Sequence, residues 1–229
     1  MKIDTLTPEI LASMIDHTLL KQFITLDNLK THCQEAVAYG FKTVAINGAV
    51  VSFCKELLNG SPVLCDATVG FPLGQSTIEA KVFEAEDAIK KGAGEIDYVV
   101  NLVELKSGHW DYIQEEMKQI TDACRKQDVG IKVIFENCFL SDDEKRRLCE
   151  ISLNVKPDYI KTSTGFGTGG ATLDDIRLMK EYAGNEIKVK ASGGIRTAEK
   201  ALAMIQAGAT RIGTSAGTLI VDEYRRMIG

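Results

Sequence analysis

Residues 187–217 read IKVKASGGIRTAEKALAMIQAGATRIGTSAG, and they contain the unit that builds the whole chain. Ile187 to Ala191 alternates apolar and basic side chains with the period of two that marks a strand. A Ser192-Gly193-Gly194 turn follows, then apolar residues at helical spacing from Ala198 to Ala207, opened by Thr197 and closed by Gly208. A second short run, Arg211 to Thr214, leads into Ser215 and Gly217. The order is therefore strand, glycine turn, helix, glycine cap and strand again.

The same order runs back to the N-terminus. Six more strand candidates centre on Met14 to Asp16, Thr43 to Ile46, Val63 to Ala67, Glu95 to Val100, Ile131 to Glu136 and Tyr159 to Thr162. Between them lie helical stretches such as Thr25 to Tyr39, Thr77 to Lys90, Asp111 to Gln127, Asp142 to Leu153 and Leu173 to Tyr182. Ser141 with Glu144 three residues on reads as a capping box, and Gly40, Gly92 and Gly130, like Gly208, stand where helix C-caps belong. Alternating βα units imply parallel strands, and eight of them suit a closed (β/α)8 TIM barrel better than a doubly wound sheet, the runner-up. No linker interrupts the pattern, so residues 1–229 are read as one domain, with the first residues forming a short helix over the bottom of the barrel.

The 229 residues are 45% apolar and 26% charged, which removes disordered and fibrous readings. A net charge of −5 with no basic tail argues against a nucleic-acid partner held by a phosphate-neutralising face. No apolar run approaches the roughly 20 residues of a membrane span, and the start lacks a signal-peptide core, so a cytoplasmic protein is expected. Six scattered cysteines without a C-x-x-C pair suggest neither disulfides nor zinc, and the three histidines (His17, His32, His109) lack ligand spacing. No metal is expected.

Barrel interiors are usually filled by Val, Ile and Leu, yet these strands carry Asp16, Asp97, Lys132, Glu136, Lys161, Lys188 and Lys190. With Ile160, Ile187 and Val189 turned toward the helices, Lys161, Lys188 and Lys190 point inward. A lone strand lysine more often snorkels to solvent, but lysines on consecutive strands near the barrel mouth favour chemistry. At about 6 Å and an effective dielectric near 20, two ammonium groups repel by roughly 3 kcal/mol, enough to lower one pKa by about two units. Such a lysine can form a Schiff base, an electron sink that requires no cofactor. Asp97 and Asp16 are the expected carboxylate partners, with Lys132, Glu136 and Lys188 as further candidates for the same network.

The glycine turns after the seventh and eighth strands fall where such barrels bind phosphate. Gly165-Phe166-Gly167-Thr168-Gly169-Gly170 also fits G-x-G-x-x-G, but the next strand ends Lys190-Ala191-Ser192 rather than in an acid, which disfavours a dinucleotide. His17 is read as a hydrogen-bonding residue at the barrel rim.

Together these residues resemble the deoxyribose-phosphate aldolases, class I aldolases on a (β/α)8 barrel. The similarity spans nearly the whole chain and is carried by Ile15-Asp16-His17-Thr18-Leu19-Leu20-Lys21, Gly70-Phe71-Pro72-Leu73-Gly74, Glu95-Ile96-Asp97, Ile160 to Phe166, Val189 to Arg196 and Arg211 to Ser215. The resemblance implies reversible cleavage of 2-deoxy-D-ribose 5-phosphate to D-glyceraldehyde 3-phosphate and acetaldehyde. It assigns Lys161 as the Schiff-base lysine, Lys190 as the lysine that perturbs it, Asp97 as the acid/base, and Asp16 as a further active-site aspartate. The phosphate would lie on Gly165, Gly193, Gly194, Gly213 and Ser215. The chain departs from the family in having Ala45 and Gly48 where a cysteine and a proline are usual, and Ala216 where a second serine can stand. Another Schiff-base aldolase, a transaldolase and a phosphate-binding barrel with inert lysines are the competing readings. A homodimer is left open as the assembly.

Overall fold

Eight parallel strands close into one barrel in sequence order: β1 (Ile15–Thr18), β2 (Thr43–Asn47), β3 (Leu64–Val69), β4 (Ala93–Val99), β5 (Gly130–Ile134), β6 (Tyr159–Lys161), β7 (Lys188–Ser192) and β8 (Arg211–Thr214). In this computed structural model, which describes residues 5–229, β8 pairs with β1 through Asp16 opposite Gly213, and that closure excludes the doubly wound sheet. The outer layer is α1 (Pro8–Ser13), α2 (Leu26–Tyr39), α3 (Val51–Leu57), α4 (Ile78–Lys90), α5 (Leu102–Lys106), α6 (Trp110–Arg125), α7 (Asp142–Val155), α8 (Leu173–Ala183), α9 (Ala198–Ala207) and α10 (Gly217–Ile228). The expected N-terminal helix is α1; residues 1–4 of that segment lie outside the described residues.

The capping box at Ser141 and Glu144 is present, and Gly40 ends α2 in the left-handed conformation at φ 71°. Gly130 does not end a helix, because α6 stops at Arg125 and the left-handed residue in that turn is Asp128, which frees Gly130 to begin β5. Sequence periodicity missed α3, α5 and α10. Two of these, α3 and α5, are only seven and five residues long, too short for a clear 3.6-residue repeat.

Alternation divides each strand between two environments. On β4, Ile96 and Tyr98 are fully buried in the hydrophobic core shared with the helices, while Glu95 and Asp97 enter the barrel. The helix layer contains a buried ion pair of its own. Lys81 Nζ of α4 lies 2.5 Å from Glu116 Oε1 of α6 and donates to Val99 O, while Glu116 Oε2 accepts from Asn101 N. Asn101 in turn caps α5, so this pair fixes the loop leaving β4 toward the mouth.

Candidate active site

Lys161 and Lys190 are register partners across β6 and β7, which sets them side by side on neighbouring strands inside the barrel. Past the lysines the two strand ends are tied together: Thr162 Oγ1 donates to Ser192 O and accepts from Ser192 N, and Ser192 Oγ donates to Ser163 O. Lys161 Nζ donates to Asp97 Oδ2 at 2.6 Å and Lys190 Nζ to the same oxygen at 2.7 Å. The other oxygen, Asp97 Oδ1, accepts from Lys132 Nζ at 2.7 Å. Three ammonium groups thus surround one fully buried carboxylate.

The two ends of the Lys161–Asp97 pair respond differently to these surroundings. Burial would push Asp97 up, but Lys132, Lys161 and Lys190 outweigh it and hold the carboxyl well below the usual aspartate range. Burial drives Lys161 toward the neutral amine, Asp97 opposes it, Lys190 adds to it, and the balance lies below the ordinary lysine value. Repulsion from Lys190 acts in the direction expected from the sequence but is not the leading cause, since desolvation of Lys161 exceeds it. Lys190 itself is raised, because Asp16, Asp66 and Asp97 together outweigh the cost of its burial.

A cavity of about 270 Å³ opens from Lys161 to the loops after β6, β7 and β8, and Gly165, Gly193, Gly194, Gly213 and Ser215 all line it. Gly193 has φ 87°, a left-handed conformation that turns the chain from β7 toward α9. Gly213 serves a different purpose, because a Cβ there would stand 2.9 Å from Ser192 Cβ and 3.1 Å from Lys190 Cε, so its bareness gives Lys190 room. The N-terminus of α10, at Gly217, follows Ser215 and Ala216 directly.

A family model for the DeoC/LacD family of aldolases matches residues 10–221. The chain belongs to the DeoC/LacD aldolase family. Among its relatives is the deoxyribose-phosphate aldolase of Lactobacillus acidophilus, 52% identical over 214 residues that cover 93% of this chain and 90% of that protein. The deoxyribose-phosphate aldolase of Caldanaerobacter subterraneus subsp. tengcongensis is 51% identical over 94% of each chain. Among solved structures, the tetrameric deoxyribose phosphate aldolase from Aeropyrum pernix superposes with a TM-score of 0.92 at 31% identity, covering 99% of this chain and 96% of that one.

Within this DeoC/LacD aldolase the other sequence candidates have separate fates. Asp16 pairs with Lys190, its Oδ2 2.5 Å from the Nζ, while Oδ1 accepts from Arg211 and Thr43. Lys132 belongs to the buried network, bound to Asp66, Glu95 and Asp97. Lys188 does not: it shares the inward parity of Lys190 but stands at the first residue of β7, exposed, with Nζ 5.4 Å from the centre of the Tyr159 ring. Glu136 lies past the end of β5 in a left-handed conformation, φ 57°, where it accepts from Thr164 N and Oγ1 and so holds the loop that follows Lys161. His17 is buried behind the rim, with Nε2 2.9 Å from Glu35 Oε2.

Three members of the buried network in this aldolase, Asp66, Glu95 and Arg211, were missed by sequence reasoning. The signal was present, since Asp66 and Thr68 alternate with Ala67 and Val69 on β3, and Glu95 has the parity of Asp97. Two groups of potential metal ligands occur among the described residues: His17 with His32 and Glu35, and Asp16 with Asp66 and Glu95. The imidazoles are stacked at 3.9 Å and 13°, and because their lone pairs lie in the ring planes, one ion cannot serve both. The carboxylates already bind Lys132, Lys190 and Arg211.

Proposed function

We propose that this protein is a deoxyribose-phosphate aldolase that cleaves 2-deoxy-D-ribose 5-phosphate reversibly through a Schiff base on Lys161. One observation carries the reading: a buried lysine with a lowered pKa faces a cavity, beside a second lysine that is held charged on the same carboxylate oxygen. The Lys161 amine attacks C1 of the open-chain sugar, and loss of water gives a protonated imine. Asp97, with Lys190 and water, takes the proton of the C3 hydroxyl. The C2–C3 bond then breaks, its electrons pass into the iminium to form an enamine, and glyceraldehyde 3-phosphate leaves. Protonation of the enamine and hydrolysis release acetaldehyde. Asp16 positions Lys190 through their ion pair.

The phosphate is assigned to the β6, β7 and β8 loops, where Gly165, Gly193, Gly194 and Ser215 offer backbone near the α10 N-terminus. Its binding energy, remote from the reacting carbons, orients them. Self-association is part of the proposal, supported by the tetrameric Aeropyrum relative, and a homodimer is its smallest form. The cytoplasm is the proposed location, supported by six free cysteines; among the described residues no helix is long and apolar enough to cross a membrane.

The test is incubation with acetaldehyde and borohydride followed by peptide mass mapping. A reduced adduct on Lys161 is expected. An unlabelled protein, or labelling confined to exposed lysines, would overturn the aldolase reading in favour of a barrel that merely binds a phosphate metabolite.

A further inference from the structure

Asp66 stands in the barrel interior on β3, fully buried, and the proposed chemistry does not use it. Its Oδ2 accepts from Lys190 Nζ at 3.1 Å and lies 2.9 Å from Lys132 Nζ, while its Oδ1 is buried with no hydrogen-bond partner. Around it lie Asp97 and Glu95 from β4, Lys132 from β5, Lys190 from β7, and Asp16 from β1. Burial and then Asp97 push the Asp66 carboxyl up to about 7, against the pull of Lys132 and Lys190.

Counting charges shows what such a group can do. The connected buried network contains four carboxylates, Asp16, Asp66, Glu95 and Asp97, and four cations, Lys132, Lys161, Lys190 and Arg211. With all eight ionised the network is neutral. Lys161 must lose a proton to become a nucleophile, and that loss alone would leave an uncompensated negative charge in a medium that tolerates it poorly. A continuous path leads from Lys161 to Asp66 and its unpartnered oxygen. Lys161 Nζ donates to Asp97 Oδ2 at 2.6 Å, Lys190 Nζ donates to that same oxygen at 2.7 Å, and Lys190 Nζ also donates to Asp66 Oδ2 at 3.1 Å.

We infer that Asp66 is the internal store for the proton that Lys161 gives up, filled and emptied along the Lys161–Asp97–Lys190–Asp66 chain. Lys190 passes a proton to Asp66, Asp97 passes the proton it receives from Lys161 to Lys190, and the net change is a neutral amine at Lys161 and a neutral acid at Asp66. Asp97 and Lys190 end as they began. When the carbinolamine on Lys161 loses hydroxide as water, the stored proton returns by the same path, Asp66 is again ionised, and the iminium carries the positive charge. The network is neutral at each resting point. Asp66 touches no substrate, so it is a positioning residue for protons rather than a catalytic group.

The inference rests on the proposed Schiff base at Lys161, and the experiment separates the two. Absence of a borohydride adduct on Lys161 in the wild type overturns both. If trapping is intact, the pH profile of kcat/KM for 2-deoxyribose 5-phosphate tests Asp66 alone. In the wild type the acid limb should fall below pH about 7, where Asp66 is already protonated and cannot accept. In Asp66→Asn, which leaves one fewer anion to hold Lys161 charged, that limb should move down by about one pH unit or more, with trapping retained at neutral pH. Imine formation with acetaldehyde in weak buffer should take up no proton in the wild type and about one per site in the variant, read with an indicator dye. An unchanged acid limb and equal proton uptake would overturn the inference. If the variant does not fold, infrared titration of the wild type decides: a protonated-carboxyl band should vanish as pH rises through about 7, and its absence between about pH 6 and 8 rejects the proposal.

Discussion

Lys161 and Lys190 meet at a single atom: both donate to Asp97 Oδ2, at 2.6 and 2.7 Å, from paired positions on neighbouring strands. The carboxylate bridges the ammonium groups that would otherwise repel. The two lysines differ in what else they touch, since Lys190 also meets Asp16 and Asp66 while Lys161 faces the cavity. That difference predicts separate mutational signatures.

Lys161→Arg keeps a cation but removes the amine, so it should abolish both turnover and borohydride trapping. Lys190→Met removes a neighbouring charge and leaves Asp97 freer to hold Lys161 protonated. The Lys161 pKa should rise, but not to its ordinary value of about 10.4, because burial remains. Trapping by Lys190→Met should slow at neutral pH and recover at high pH. Adduct formation by Lys161→Arg, with none by Lys190→Met at high pH, would reverse the assignments.

Ser215→Asp places a carboxylate in the glycine-lined part of the cavity. Repulsion acts only where the phosphate is. KM for the phosphorylated sugar should rise on the order of tenfold or more, while unphosphorylated deoxyribose is little affected. Equal effects on both substrates would remove the phosphate from the loop after β8.

Activity should survive exhaustive chelation. The stacked imidazoles of His17 and His32 cannot share an ion, and Asp16, Asp66 and Glu95 are occupied by side-chain cations. Loss of turnover with recovery on adding a divalent ion would contradict a lysine electron sink.

Stability should fall as pH drops below about 6.5, because His17 and His32 are buried neutral. Burial lowers His17 to about 4 and His32 to about 3, with His17 adding to the latter effect. The unfolded chain binds protons at these sites near 6.5 and the folded chain does not, so unfolding is favoured progressively from there down to the folded values. At pH 5 the cost is on the order of 2 kcal/mol for each histidine. Urea midpoints of the wild type and His32→Asn at pH 7.5 and 5 measure it; an equal pH dependence in both proteins would show that His32 is not responsible.

The barrel and the inward parity of Lys161 and Lys190 were legible in the sequence because both follow from local periodicity. Period two separates Ile160 from Lys161 and Val189 from Lys190, and helical spacing with glycine caps orders the units. The depth of each inward residue was not legible in this way. Lys188 and Lys190 have the same parity, yet one reaches solvent at the start of β7 and the other is buried among carboxylates. Parity is local, whereas depth depends on how all eight strands stagger as the barrel closes. The same closure brings Asp66 to Lys190, 124 residues away, and Arg211 to Asp16, 195 residues away. No window of sequence contains both partners, so the charge balance around Lys161 exists only in the folded barrel.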